Sequence, residues 1–416
     1  MLHEIQPLNE EEIQLIEGKA FRSILMERIH SQEQAPPKSA ASALFFDIET
    51  TGLSADTSFV FLIGCICQED GKWIRHQFCI RLVQEESLLL SSFFEITKKA
   101  RFLIHFNGNT FDIPFIEKRA AANGLCFCFD GLLSIDLYQH FRPLRRILEL
   151  PHMNQSFLEK YIGWEREDQL SGKEVVSLFW NYAASPGTAI KKTPSPASLD
   201  INDTSTEQTA ELLLLKHNRD DLLGMLQILK LEAYCMLFSG QDSMFQTISV
   251  SDSHSALQFH FTTALPLPHP LQLARPAFKK EETGPLLTLS VNASSGCLTV
   301  PIFCGTLRYY IPDYKNYYYL PLEHQAIHKS VASYVAKEYR VPAKPDTCYV
   351  EKTGYFLPLL KNSSASDDFA MLKEKPVFRE SYEAKLFYFE YMEESEQSKE
   401  LLFSYCKACL TYIFRE

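Results

Sequence analysis

No apolar run in this sequence approaches the roughly 18 residues of a membrane-spanning helix, and the opening segment MLHEIQPLNEEEIQLIEGKA has neither the basic nor the apolar stretch of a signal peptide. These absences point to a cytoplasmic protein with no membrane partner. There is no basic excess either, since 41 lysines and arginines stand against 52 acids, a formal charge of -11. That charge argues against a surface that coats nucleic acid nonspecifically but is compatible with a local basic groove around a metal-filled acidic centre. The cysteines form no disulfide framework: eleven is an odd number, and FLIGCIC and GLCFCF set them among apolar neighbours, as in reduced buried thiols. The single C-x-x-C, Cys406 to Cys409, has no second pair, which argues against zinc there and for a helix face.

What is present is apolar material, 46% of 416 residues, enough to bury more than one core. Residues 9–30 follow a helical pattern that SQEQAPPKSAAS at 31–42 breaks, so 1–40 reads as an N-terminal helix and linker. Strands at 44–48, 58–67, 73–82, 102–106 and 132–137, with helices at 85–99 and 113–124 between them, describe an α/β unit with a mixed five-stranded sheet flanked by helices. Helical segments fill 138–182, and a long helix runs from about 207 to about 238. Between them, 184–209 has too few large apolar residues to bury and reads as a disordered surface insert. Beyond this 41–240 domain the texture turns to proline, β-branched residues and tyrosine, giving a smaller β-rich α+β domain over 245–416 whose role no residue names. Within it, 308–321 reads as a tyrosine-rich hairpin, 326–340 as an amphipathic helix, and 380–414 as helical.

The stretch LFFDIETTGL at 44–53 is the most informative one: an apolar strand that ends in Asp47 and Glu49. Two residues apart on a strand, both carboxylates point the same way. Like charges held so close repel unless something neutralises them, and a divalent cation is the economical partner. Asp112 opens a helix after the turn residues Asn107, Gly108 and Asn109; alone, an aspartate there would serve as a helix cap. His217 and Asp221 in KHNRDDLL are four apart, hence on one helix face, and the leucine-rich flanks bury that helix nearly all round. Buried charges need partners or metals. Asp220 is given a supporting or surface role, and Asp136, at the end of the 132–137 strand, that of a structural carboxylate.

In that order, DIETTGL, NGNTFDIPFI and HNRDDL resemble the three motifs of the DEDD exonuclease group in the RNase H-like superfamily. The likeness covers about 40–235, is nearest to YprB-type exonucleases, and extends more loosely to the proofreading domains of replicative polymerases. It implies an RNase H-like fold and a 3′ to 5′ exonuclease that hydrolyses single-stranded DNA or RNA ends with two Mg²⁺ or Mn²⁺ ions. Asp47, Glu49, Asp112 and Asp221 match the four metal-ligating, catalytic acids, with Asp47 bridging both ions, and His217 would orient or deprotonate the attacking water. Thr50, Thr51, Gly52 and Leu53 match contacts to the terminal nucleotide, and Asn107 joins them as a substrate contact. One departure stands out: members carry tyrosine four residues before the last aspartate or histidine five before it, whereas here His217 is four before Asp221 and Lys216 five. The alternative reading is a catalytically inactive RNase H-like nucleic-acid-binding or scaffold protein; the presence of all four acids favours the enzyme.

Overall fold

The computed structural model describes residues 1–30, 42–184, 204–239, 244–251, 254–277, 284–360, 376–392 and 399–415. The expected linker and most of the expected insert lie outside the described residues. The chain divides into two compact units, Met1–Glu232 and Ala233–Glu416.

The first unit begins with β1 (Leu2–Pro7), α1 (Glu10–Glu17), α2 (Lys19–His30), β2 (Ala43–Thr50), β3 (Val60–Glu69), β4 (Lys72–Cys79), α3 (Glu86–Thr97) and β5 (Phe102–His105). It continues with α4 (Asp112–Ala122), β6 (Leu133–Asp136), α5 (Leu137–Phe141), α6 (Leu144–Ile147), α7 (Gln155–Tyr161), α8 (Gly172–Ala183) and α9 (Thr204–Ile228). Among the described residues the strands form one six-stranded sheet in the order β1-β4-β3-β2-β5-β6. The first four strands pair antiparallel, while β2, β5 and β6 run parallel. Covered on both faces, β2 is a near-continuous apolar run, with Ala43 to Phe46 all buried.

The expectation of five strands is corrected to six, because β1 pairs with β4 from Leu2 opposite Cys79 to Pro7 opposite Ile74. This edge strand alternates half-buried and exposed residues over a short span, a faint pattern by itself. In the N-terminal segment, read as a helix, α2 buries Phe21, Ile24, Leu25 and Ile29. Its helical pattern is cut at Gly18, whose backbone is extended (φ -72°, ψ 169°) and where a Cβ would lie 2.5 Å from the Gln14 carbonyl oxygen. The helical stretch 138–182 is also cut, into four helices, with Pro143 and Pro151 and the left-handed Glu149 and Gly163 between them.

The long helix α9 continues through a tight turn into a helix over Glu232–Ser239. The absence of a spanning stretch needs correcting here: Thr209–Ser239 is long and apolar enough by length and composition to cross a membrane, and 72% of its most apolar window is buried inside the protein, as in a core helix. The eleven cysteines are free thiols, but Cys126, Cys128 and Cys304 are exposed rather than buried.

In the second unit, sheets of five, four and three strands are seen among the described residues, followed by a helix over Lys399–Arg415 that buries Cys406 and Cys409. The tyrosine segment does contain a hairpin, Tyr317–Leu320 against Gln325–His328. The helix expected at 326–340 shrinks to the single turn Lys329–Ala332, and Tyr334 beyond it is 91% exposed, so no apolar face forms to sustain a longer one. Residues 380–414 are likewise a strand, Phe387–Tyr391, and then the terminal helix.

Candidate active site

The site is assembled at the C-terminal end of β2, where α9 crosses the sheet. Asp47 lies opposite Gly64 of β3, and Gly64 in turn opposite Gln77 of β4, so all three point to the α9 side. A Cβ on Gly64 would lie 2.0 Å from Asn218 Oδ1 and 2.7 Å from Leu222 Cδ1. Glycine therefore lets α9 settle onto the sheet. The fully buried Asn218 then bridges strands: its Nδ2 donates to Asp47 Oδ2 at 3.0 Å, and its Oδ1 accepts from Gln77 Nε2 at 2.9 Å. Gln77 Nε2 also reaches the Leu215 carbonyl at 2.8 Å, tying helix to sheet a second time.

His217 sits between two sets of carboxylates. Its Nδ1 is 2.5 Å from Asp168 Oδ2, and its Nε2 is 3.5 Å from Glu49 Oε1 and 3.4 Å from Asp221 Oδ2. Asp168 is itself fixed by its backbone N–H, which donates to Asp220 Oδ2 at 2.7 Å. The supporting role read for Asp220 is the one the geometry gives it, as a buried carboxylate also paired with Arg219 at 2.9 Å. Asp221 meets Arg166 Nη2 at 2.7 Å, and that guanidinium also grips the buried Glu159. Gln155 ties this group together by donating to Glu159 and to the Asp221 carbonyl.

The four acids act on one another electrostatically. Burial lifts the Asp47 carboxyl well above the usual carboxylate range, and Asp221, Glu49 and Asp112 each add to the rise. Burial lifts Glu49 to about 8, opposed by His217 and reinforced by Asp221 and Asp112. Asp112 is raised to about 7, again chiefly by burial, with Asp136 and Asp221 adding. Burial opposes charging of His217, yet Glu49, Asp221 and Asp168 outweigh it and hold the imidazole above its ordinary value. Asp47, Glu49 and Asp112 are thus each raised by burial and by the nearby charge of Asp221, a situation that a bound cation would relieve. The donor set fits a divalent cation, since the ligand atoms of Glu49, His217 and Asp221 lie within 4.8 Å of one another.

The loop before α4 is shaped from within. Asn107 adopts φ +62°, and its N–H donates to Asp136 Oδ1 at 2.8 Å. Asp136 also caps α5 through the Tyr138 N–H at 3.1 Å, so it serves as a structural carboxylate. Gly108 packs on His105, where a Cβ would come within 2.8 Å of the ring, and its N–H donates to His105 Nδ1 at 3.0 Å. Burial lowers His105 to about 4 and keeps the ring neutral, its Nε2 at 2.8 Å from Ser134 Oγ.

The proposed nucleotide contacts lie on the turn that follows the bulge at the end of β2. Thr50 Oγ1 donates to the Gly52 carbonyl at 2.9 Å, Thr51 Oγ1 accepts the Phe59 N–H at 3.1 Å, and Gly52 packs against Ser58. Leu53 is 89% exposed at the tip. Both threonine hydroxyls thus build the turn, leaving the apolar tip open to solvent.

Asp168, Arg166, Glu159, Asn218 and Gln77 were not singled out from sequence. Asn218 neighbours His217 in the motif, a signal that was available. The segment Trp164–Asp168 reads as an ordinary charged stretch, and only the fold brings it to α9.

The fold of the first unit is RNase H-like: a mixed sheet flanked by helices, with Asp47 and Glu49 towards the end of the inner strand β2. Residues 44–232 match the model of the RNase_H_2 family of the RNase H superfamily. The chain is also similar to the family B DNA polymerase from the hyperthermophilic archaeon Pyrobaculum calidifontis, at 12% identity and a TM-score of 0.34, over 91% of this chain and 46% of the polymerase chain. No curated protein matches the sequence.

Proposed function

We propose that this chain is a metal-dependent nuclease, specifically a 3′ to 5′ exonuclease of the DEDD type, nearest to the YprB-type enzymes, acting on single-stranded DNA or RNA ends in the cytoplasm. The observation that carries the reading is the buried Asp47 carboxyl, raised further by the nearby charges of Asp221, Glu49 and Asp112, beside an imidazole whose Nε2 faces Glu49 and Asp221. Glu49 and Asp221 would hold one Mg²⁺ or Mn²⁺, with Asp47 shared with a second ion near Asp112. Bound ions would supply charge neutralisation and a water of lowered pKa. His217, its Nδ1 held by Asp168, offers Nε2 as the acceptor for the proton of the attacking water. Asn218 holds Asp47 in place, and the turn carrying Thr50, Thr51, Gly52 and Leu53, together with Asn107, lines the approach for the strand end.

A specific contact supports a second reading, an inactive nucleic-acid-binding or scaffold protein: the Arg166 guanidinium already neutralises Asp221. Purified protein with a single strand blocked at one end or the other, in Mn²⁺ or Mg²⁺, separates the two. The enzyme reading expects stepwise shortening from the 3′ end that Asp47→Ala reduces by roughly a hundredfold or more. Strand binding without trimming on any DNA or RNA would favour the inactive reading.

A further inference from the structure

On the other face of the sheet, away from α9, a second group of donor side chains gathers near the β3–β4 turn. Cys65, Cys67 and Glu69 follow one another at two-residue steps along β3, and His76 of β4 lies opposite Cys65, so the side chains of Cys67, Glu69 and His76 share that face. The ligand atoms of Cys67, Glu69 and His76 lie within 4.8 Å of one another. His76 Nε2 is 3.5 Å from Glu69 Oε2, close to the roughly 3.3 Å edge that two bonds of about 2.0 Å subtend at a tetrahedral zinc ion.

His76 is 3% exposed, and its Nε2 is a buried nitrogen with no hydrogen-bond partner, aimed at this group. Buried ring nitrogens are ordinarily satisfied. Its other nitrogen is engaged, with Nδ1 3.1 Å from His3 Nε2, and the His3 ring stacks on Phe78 at 4.1 Å. Donation from Nδ1–H to His3 leaves Nε2 with a bare lone pair, the tautomer and outer partner that a metal-bound histidine requires. Cys67 is 8% exposed, while the Glu69 side chain is 37% exposed, so the group has an apolar floor and an open rim. A small cavity lined by Leu44, Cys67, Glu69, Ile96 and Lys99 adjoins it.

We propose that Cys67, Glu69 and His76 form a Zn²⁺ site separate from the candidate nuclease centre, with His3 as the residue that orients His76. A soft thiolate, an imidazole and one carboxylate select a borderline transition ion over Mg²⁺, and the fourth position is left to water. Binding displaces the Cys67 thiol proton, so one proton leaves for each ion bound through sulfur.

Cobalt titration of the full-length, metal-stripped protein tests this, because cobalt bound to thiolate gives a charge-transfer band in the near ultraviolet that an oxygen and nitrogen site lacks. The expected result is a thiolate band saturating at one ion per chain and bleached by Zn²⁺, absent in Cys67→Ala and retained in Asp221→Asn. His76→Gln is expected to weaken uptake at least tenfold, and His3→Phe by roughly tenfold. No band in the wild type, a band that survives Cys67→Ala, or its loss in Asp221→Asn would overturn the assignment. Circular dichroism without metal checks that each variant is folded. Should Cys67→Ala fail to fold, Glu69→Gln on the open rim must weaken uptake at least tenfold, and undiminished uptake there would overturn the site as well.

Discussion

His217 shows how a side chain's partners divide the work of its two nitrogens. Asp168 takes Nδ1 at 2.5 Å, so Nε2 is the nitrogen left to face Glu49 and Asp221. Asp168→Asn keeps the shape but lets an amide N–H donate to Nδ1, which moves the ring proton to Nε2 and removes the acceptor. That variant is expected to stay folded and to lose roughly tenfold to a hundredfold in kcat, with KM for the strand nearly unchanged and a displaced pH profile. An unaltered rate and profile would remove His217 as the base. Its place four residues before Asp221, on the same helix face, made His217 visible in the sequence even though that spacing departs from the family's. Its orienting carboxylate was hidden, because Asp168 lies 49 positions away in a segment with no motif.

Among the elements, the decisive contact is α9 on β3. Gly64→Ala would drive a methyl group to 2.0 Å from Asn218 Oδ1, so the helix must lift or Asn218 must release Asp47. The expected outcome is destabilisation by about 1–3 kcal/mol in urea unfolding together with a fall in nuclease rate larger than that loss of folding explains. An alanine variant with wild-type stability and rate would show that this close approach is relaxed in solution. The central strands and α9 were legible because long apolar periodicity is a strong signal. Strand β1 and the breaks in the early helices were not: an edge strand buries little, and a break follows from one glycine or proline acting on its neighbours.

At the scale of the molecule, the first unit closes where α5 meets its last residue. His140 Nε2 is 2.6 Å from Glu232 Oε2, and Nδ1 is 3.6 Å from Glu27 of α2; the two partners are 15% and 2% exposed in the tighter pair. Burial opposes the His140 charge, but Glu232 and Glu27 outweigh it and raise its pKa above the ordinary value. A folded-state pKa above the unfolded one means that the contribution is complete below about pH 6.5 and fades as pH rises through the folded value. The urea midpoint of the wild type should therefore exceed that of His140→Gln by more at pH 6 than at pH 9. A difference that is constant or grows with pH would contradict the pairing. This closure joins residues 92 apart in sequence, and no local pattern announces it.

By itself the sequence determined the chemistry available: two acids on a strand, one at a helix start, and a histidine and an acid on one helix face. Periodicity and spacing fix those relations because they depend on backbone geometry within a single element. The tertiary structure decided which of these groups meet and what holds them. The absence of a side chain at Gly64 admits α9, Asn218 ties it to Asp47, and Asp168 and Arg166 arrive from a distant segment to engage His217 and Asp221. Such contacts depend on how separate elements pack, and packing is a property of the whole chain rather than of any stretch of it.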